Sequence, residues 1–397
     1  MRRYYSIPLL FFFLAAVLGL FLRWQFVMPT PGIRYTYFLH NHSHVMFLGW
    51  VFNVLYLSFV ENNLPEKGRG GYLKLFVVLQ VLVVAMMISF PIQGYGLFSI
   101  IFSTLHMLAA LVFIPIFFGR TKGDPRISVW FARIAWIFFF ISTAGPFSLG
   151  YLMANGTGQT VWHNYSIYFY LHFQYNGFFL FGVLSLFFQL LESKHIPFSY
   201  RRAKKIGTWM AAACVPAYSL SILFSKPGLF FNVLGAVGAV LQIVALIIFL
   251  KEIGRIKAHL YLNFNGVVMK LFQFVLLALI LKSLLQLASA HPVIAEMAYT
   301  LRPLTIAYLH LVLVGIITFF LLGWYIETER VRETPRKWSV VILLAGFIGS
   351  EVCLVLVPWW SHTIGNGISS SVAIFAFSIL MVAGSLLFYL GSLKKLG

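Results

Sequence analysis

His44-Val-Met-Phe-Leu-Gly-Trp-Val-Phe-Asn-Val-Leu-Tyr-Leu-Ser-Phe-Val60 is an uncharged, strongly apolar run that opens on a histidine and carries a glycine five residues later. The same frame returns as His172-Phe-Gln-Tyr-Asn-Gly177 and His310-Leu-Val-Leu-Val-Gly315, the last two both entered by Tyr-Leu. A run of this length and polarity reads as a helix crossing a bilayer. An imidazole inside such a helix is costly, so three in one frame point to a site and not to an accident of composition.

Composition agrees with that reading outward from the motif. The chain has 397 residues, of which 60% are hydrophobic and 10% charged. No single soluble core of this length accommodates that much apolar surface. Apolar runs fall at about 7–27, 42–60, 72–91, 95–118, 128–150, 166–191, 206–224, 229–250, 267–289, 301–325, 338–358 and 369–392, about twelve spans in one polytopic membrane domain over 1–397. The first is read as a retained span, because no small-residue cleavage site follows it. The two cysteines, Cys214 and Cys353, lie in apolar runs and form no metal motif.

The net charge of +19 would suggest nucleic acid in a soluble protein. Here the basic residues alternate with the spans. Arg2 and Arg3, then Lys67, Arg69 and Lys74, then Arg120, Lys122 and Arg126, then Lys194 and Arg201 to Lys205 fall on one side. Lys251, Arg255 and Lys257, then Arg330, Arg332, Arg336 and Lys337, then Lys394 and Lys395 follow the same alternation. The opposite loops hold little beyond Arg34, Lys226 and Arg302. The positive-inside pattern places both termini in the cytoplasm, and anionic headgroups of the lipid bilayer account for the charge without nucleic acid.

With that topology the motif histidines sit on the second, sixth and tenth helices, four apart, near the outer surface. His40, His42, His163, His291 and His362 belong to outer loops or helix ends, and His106 is within the fourth span. The spacing predicts three similar four-helix units in a pseudo-threefold all-α bundle. Neutral imidazole is a common ligand of haem iron and copper, so the distribution suggests a haem or metal layer there. On a regular helix the glycine lies about 140° round from its histidine, and serves close packing of a helix or a flat macrocycle. His40 and His44 are about 40° apart and His42 is on the other side, unless the segment is extended. Lys282 and Glu351 are intramembrane charges that could pair with each other.

Twelve helices with outer-end histidines on the second, sixth and tenth resemble the haem-copper oxidase subunit I superfamily, the catalytic subunits of cytochrome oxidases and nitric oxide reductases. His42-Ser-His44-Val-Met-Phe-Leu-Gly49 is also similar to the His-x-His-x-Met-x-x-Gly opening of NnrS-type membrane proteins, and Leu309-His310-Leu-Val-Leu-Val-Gly315 to a later motif of theirs. The resemblance implies that a helix-2 histidine, His42 or His44, and His310 hold a low-spin haem of b type. It implies a copper-centre place for His172. Arg302 and Arg34 are cations that could meet haem propionates.

The departures are specific. The seventh span, Ile206 to Phe224, has no histidine pair, and Tyr308 stands where oxidases carry a haem ligand. The expectation is therefore a haem protein of a bacterial inner membrane, its histidine-rich face outward, without the standard binuclear centre. It would act in electron transfer, gas sensing or nitric-oxide-related metabolism, served by the quinone pool or a membrane or periplasmic electron-transfer partner. A secondary transporter, or a copper-handling protein using His40, His42 and His44, is the competing expectation.

Overall fold

The computed structural model describes residues 1–157, 160–331, 333–360 and 369–393. Arg332, His362, Lys394 and Lys395 lie outside the described residues. The described residues form helices and no strand. Twelve helices are long and apolar enough to cross a membrane: α1 Arg3–Val27, α2 Tyr35–Asn63, α3 Arg69–Gln93, α4 Leu97–Arg120, α5 Ile127–Ala154, α6 Val161–Ser193, α7 Tyr200–Ser225, α8 Leu229–Asn263, α9 Gly266–Ala288, α10 Arg302–Glu327, α11 Lys337–Trp359 and α12 Ser370–Leu393. Every span read from the sequence has its helix. A short helix, Pro292–Thr300, links α9 to α10.

Helix ends differ from the apolar runs where chemistry other than hydropathy sets them. The α8 helix continues past its apolar run through Lys251, Glu252, Arg255 and Lys257 to Asn263. Those residues are good helix formers, and the Glu252 carboxylate is held by Arg202 at 2.9 Å and Arg255 at 2.7 Å. The α2 helix begins at Tyr35, so His40, Asn41, His42, Ser43 and His44 are helical and not an extended entry.

The chain divides into two compact units, residues 1–121 with 321–397, and residues 122–320. Within them packing repeats every four helices. The α1 helix packs on the glycine segment of α2, α5 on that of α6, and α9 on that of α10. The next two helices of each set pair with each other: α3 with α4, α7 with α8, α11 with α12. The motif helices are the enclosed ones. In their most apolar windows α2 is 89% buried, α6 83% and α10 72%, against at most 61% in any other span. Lipid-facing helices such as α4 and α8 are 28% buried, and their exposed Leu, Ile and Val side chains suit a hydrocarbon solvent.

In the first unit the basic-loop end is closed by one knot. Arg330 donates to Glu61 Oε2 at 2.6 Å and lies over the rings of Tyr5 and Trp324. The Tyr5 hydroxyl donates to the same carboxylate at 2.7 Å, and Tyr325 donates to the Tyr5 carbonyl at 2.9 Å. In the second unit Glu192, at the end of α6, instead accepts the backbone N–H groups of Ile127 and Ser128 at the start of α5. Both carboxylates end a motif helix and tie it to the helix before it, Glu61 through the Tyr5 hydroxyl of α1 and Glu192 through the N-terminus of α5.

Candidate functional site

Each of the three motif histidines is the last residue of an α-helical stretch, and each is followed at once by a π-helix: Val45–Phe52, Phe173–Phe179 and Leu311–Thr318. π-turns are rare and concentrate at functional sites. Because their hydrogen bonds run from one residue to the fifth beyond, the glycine closes the first wide turn and lies closer beneath its histidine than on a regular helix. The 140° offset expected of a regular helix therefore does not apply here. At two of these turns the glycine meets a close tertiary contact. A Cβ on Gly49 would come within 2.9 Å of Phe11 Cβ, and one on Gly177 within 2.6 Å of Phe138 Cβ. Phe11 belongs to α1 and Phe138 to α5, so the same wedge acts at the same place in two of the repeats.

A widened turn leaves carbonyls without their usual partners, and polar side chains supply them. Asn53 donates to the Gly49 carbonyl at 2.7 Å and exchanges two bonds with Gln80 of α3 at 2.7 and 2.9 Å. Thr318 donates to the Leu313 carbonyl at 2.8 Å. These residues were invisible as site elements in a hydropathy reading. Their signal was there nonetheless: amides and a hydroxyl with almost no exposure inside spans of otherwise apolar residues.

The three histidines of the α2 entry separate as their spacing predicts. His42 faces α1, where its Nδ1 lies 2.9 Å from the Ala15 carbonyl and its ring fills the space left by Gly19. His40 and His44 face α3 and the turn after it. The His44 ring lies 4.4 Å from Phe90, and the His40 ring 4.5 Å from Tyr95. Burial in this aromatic corner holds the Tyr95 phenol, between α3 and α4, up to about 12.

His44 has the arrangement of a metal-binding imidazole. Its Nδ1 lies 2.9 Å from the His40 carbonyl, which fixes that nitrogen as the N–H and leaves the Nε2 lone pair open. No hydrogen bond to Nε2 is made among the described residues. On α4, within electrostatic range of His44, His106 is 1% exposed, and its Nε2 is buried without a partner. An orphaned buried nitrogen of this kind calls for a ligand, ion or water. The first unit thus turns His40 and His44 to one aromatic corner and His42 away from it, while His106 is buried on α4 against the Phe52 ring.

The second unit treats its motif histidine differently. His172, 1% exposed, donates from Nε2 to the Cys214 carbonyl of α7 at 2.8 Å and accepts at Nδ1 from Asn176 at 3.2 Å. That carbonyl is available because α7 tightens to a 3₁₀ turn after Ala217, where the Tyr218 N–H points to Val215 and Pro216 instead. Both nitrogens of His172 are engaged. His310 occupies the equivalent α-to-π junction of α10, half-buried, with Tyr308 just before it and Arg302 exposed at the first turn. His163 is at the start of α6, and His291 is exposed ahead of the short helix.

The two intramembrane charges find different neighbours. The Lys282 ammonium donates to Gln242 Oε1 of α8 at 2.8 Å. Glu351 lies in the electrostatic reach of Arg23 on α1. Arg34 is committed to Tyr37, by a hydrogen bond of 2.6 Å to the hydroxyl and by stacking over its ring.

No family model matches this sequence, and no match to it is found among curated proteins.

Proposed function

We propose that this chain is a haem-binding membrane protein related in design to haem-copper oxidase subunit I, in which His44 would hold the iron. The observation that carries the reading is His44 itself: Nδ1–H anchored to a carbonyl, Nε2 open, at the mouth of the most enclosed span. A neutral imidazole brings no charge into the membrane and suits a haem iron. His42 also reaches a carbonyl through Nδ1, but it does so against α1, away from the aromatic corner that His40 and His44 share. The residue fit thus favours His44 over His42, and the resemblance adds His310 as a further ligand to be tested.

Haem would supply an iron that exchanges single electrons or binds a diatomic gas. The chain's own residues supply the rest. Phe90 and Tyr95 wall the ring of His44, and the His40 carbonyl sets its orientation. The absence of a helix-7 histidine pair, and Tyr308 in place of a ligand, argue for electron transfer, gas sensing or nitric-oxide-related chemistry in place of oxygen reduction at a binuclear centre. Quinone or a periplasmic protein would serve as electron partner, with the histidine ends outward in a bacterial inner membrane. The test is the optical spectrum of protein purified from haem-replete cells, with copper measured in parallel. A Soret band that sharpens on reduction is expected. Copper without haem would favour the copper-handling reading, and neither would end both.

A further inference from the structure

Lys282 plays no part in the haem reading, and its surroundings are unusual for an ammonium. It lies six residues before the end of α9, about 9 Å along the axis from that end. It is 1% exposed. Among the described residues its one hydrogen-bond partner is the neutral side chain of Gln242, and no carboxylate pairs with it. The amide N–H₂ of Gln242 has no partner of its own there.

Both side chains border a small cavity between α6, α7, α8 and α9, with room for about one or two water-sized guests. Its other walls are apolar, Leu184, Met210, Phe249 and Leu279 among them. The exception is Ser283, whose hydroxyl is already donating to the Leu279 carbonyl at 2.8 Å. The cavity is therefore rich in donors and poor in acceptors. Among the described residues two N–H groups of Lys282 and two of Gln242 make no hydrogen bond, and a buried cation without a counter-charge is expensive. A guest that repairs both faults must be small, must accept several hydrogen bonds and must carry one negative charge.

We propose that the cavity at Lys282 binds a small monovalent anion of halide size. The anion sits on the ammonium, completes the donors of Lys282 and Gln242, and neutralises the charge inside the membrane. It supports the junction of α8 and α9 beside His172, whose ring is within electrostatic range of the lysine. This site is independent of the haem reading.

The experiment is equilibrium retention of radioactive chloride by the full-length purified protein, at constant ionic strength with gluconate as the replacing anion. Saturable, stoichiometric retention that bromide displaces and gluconate does not is expected. Lys282→Met should weaken it by at least about tenfold, and Gln242→Leu by about threefold or more, with the optical spectrum unchanged. Absence of saturable chloride in folded wild-type protein would overturn the proposal. So would wild-type affinity in a folded Lys282→Met variant. Should that variant not fold, Gln242→Leu decides alone: weakened retention supports the site and unchanged affinity overturns it.

Discussion

The α2 and α6 helices open on the same histidine-glycine frame, pass into a π-turn at the same residue, and seat the glycine against a phenylalanine of the preceding helix. Their histidines nonetheless take opposite tautomers. His44 is an Nδ1–H imidazole with Nε2 open, whereas His172 is an Nε2–H imidazole whose Nδ1 accepts from Asn176. The motif is therefore two devices laid over each other. One is a packing device, the wide turn, repeated in each set of four helices, with its glycine pressed by a phenylalanine in two of them. The other is chemical and is decided by the neighbours: a bare aromatic wall in one unit, an amide and a released carbonyl in the other.

The comparison breaks most visibly at the histidines. His44→Ala should abolish the low-spin bands of the haem, while His172→Ala should leave the spectrum intact, read in reduced and oxidised samples side by side. The packing half should respond alike in both units. Gly49→Ala and Gly177→Ala each force a Cβ against a phenylalanine Cβ, so each should cost about 1–3 kcal/mol in reversible micellar unfolding. A cost at one glycine alone would show that the repeat is not a repeat in energy.

His172→Ala sharpens the same contrast at smaller scale. It strands the Cys214 carbonyl and the Asn176 amide, for a loss of about 1–2 kcal/mol in the same unfolding assay. The smallest effect lies outside the spans. The Arg126 guanidinium beside Asp124, 2.7 Å away, holds its carboxyl below the usual carboxylate range. Its stabilisation is present above the unfolded carboxylate value and is lost as pH falls through the depressed folded one. At an exposed loop this amounts to about 1 kcal/mol or less, and Asp124→Asn should remove that part of the acid dependence.

The fold was legible because bilayer hydropathy and the alternation of basic loops are strong, redundant signals. Twelve apolar runs became twelve helices, and the four-helix period of the motif reappears in which helices pair. Residues such as Arg255 and Lys257 hid the true length of α8, since charge ends an apolar run without ending a helix. The π-turns were not legible. Two of them lie where Phe11 and Phe138 press on a glycine, and that contact joins positions far apart in the chain. The separation of His42 from His40 and His44 followed from helical spacing. The preference for His44 did not, because it rests on the carbonyl and the open nitrogen beside it. Gln242 gave no hint that it would be the partner of Lys282, since an amide in one span does not identify its partner in another.

The most direct test of the account is chemical rescue at His44. Wild-type protein, His42→Gly and His44→Gly are purified haem-replete, and their reduced and oxidised spectra are recorded with and without added imidazole. Low-spin bands are expected in wild type and His42→Gly, with their loss in His44→Gly and their return when imidazole fills the vacated position. Low-spin bands unchanged in His44→Gly, or no Soret band in the wild type, would contradict it.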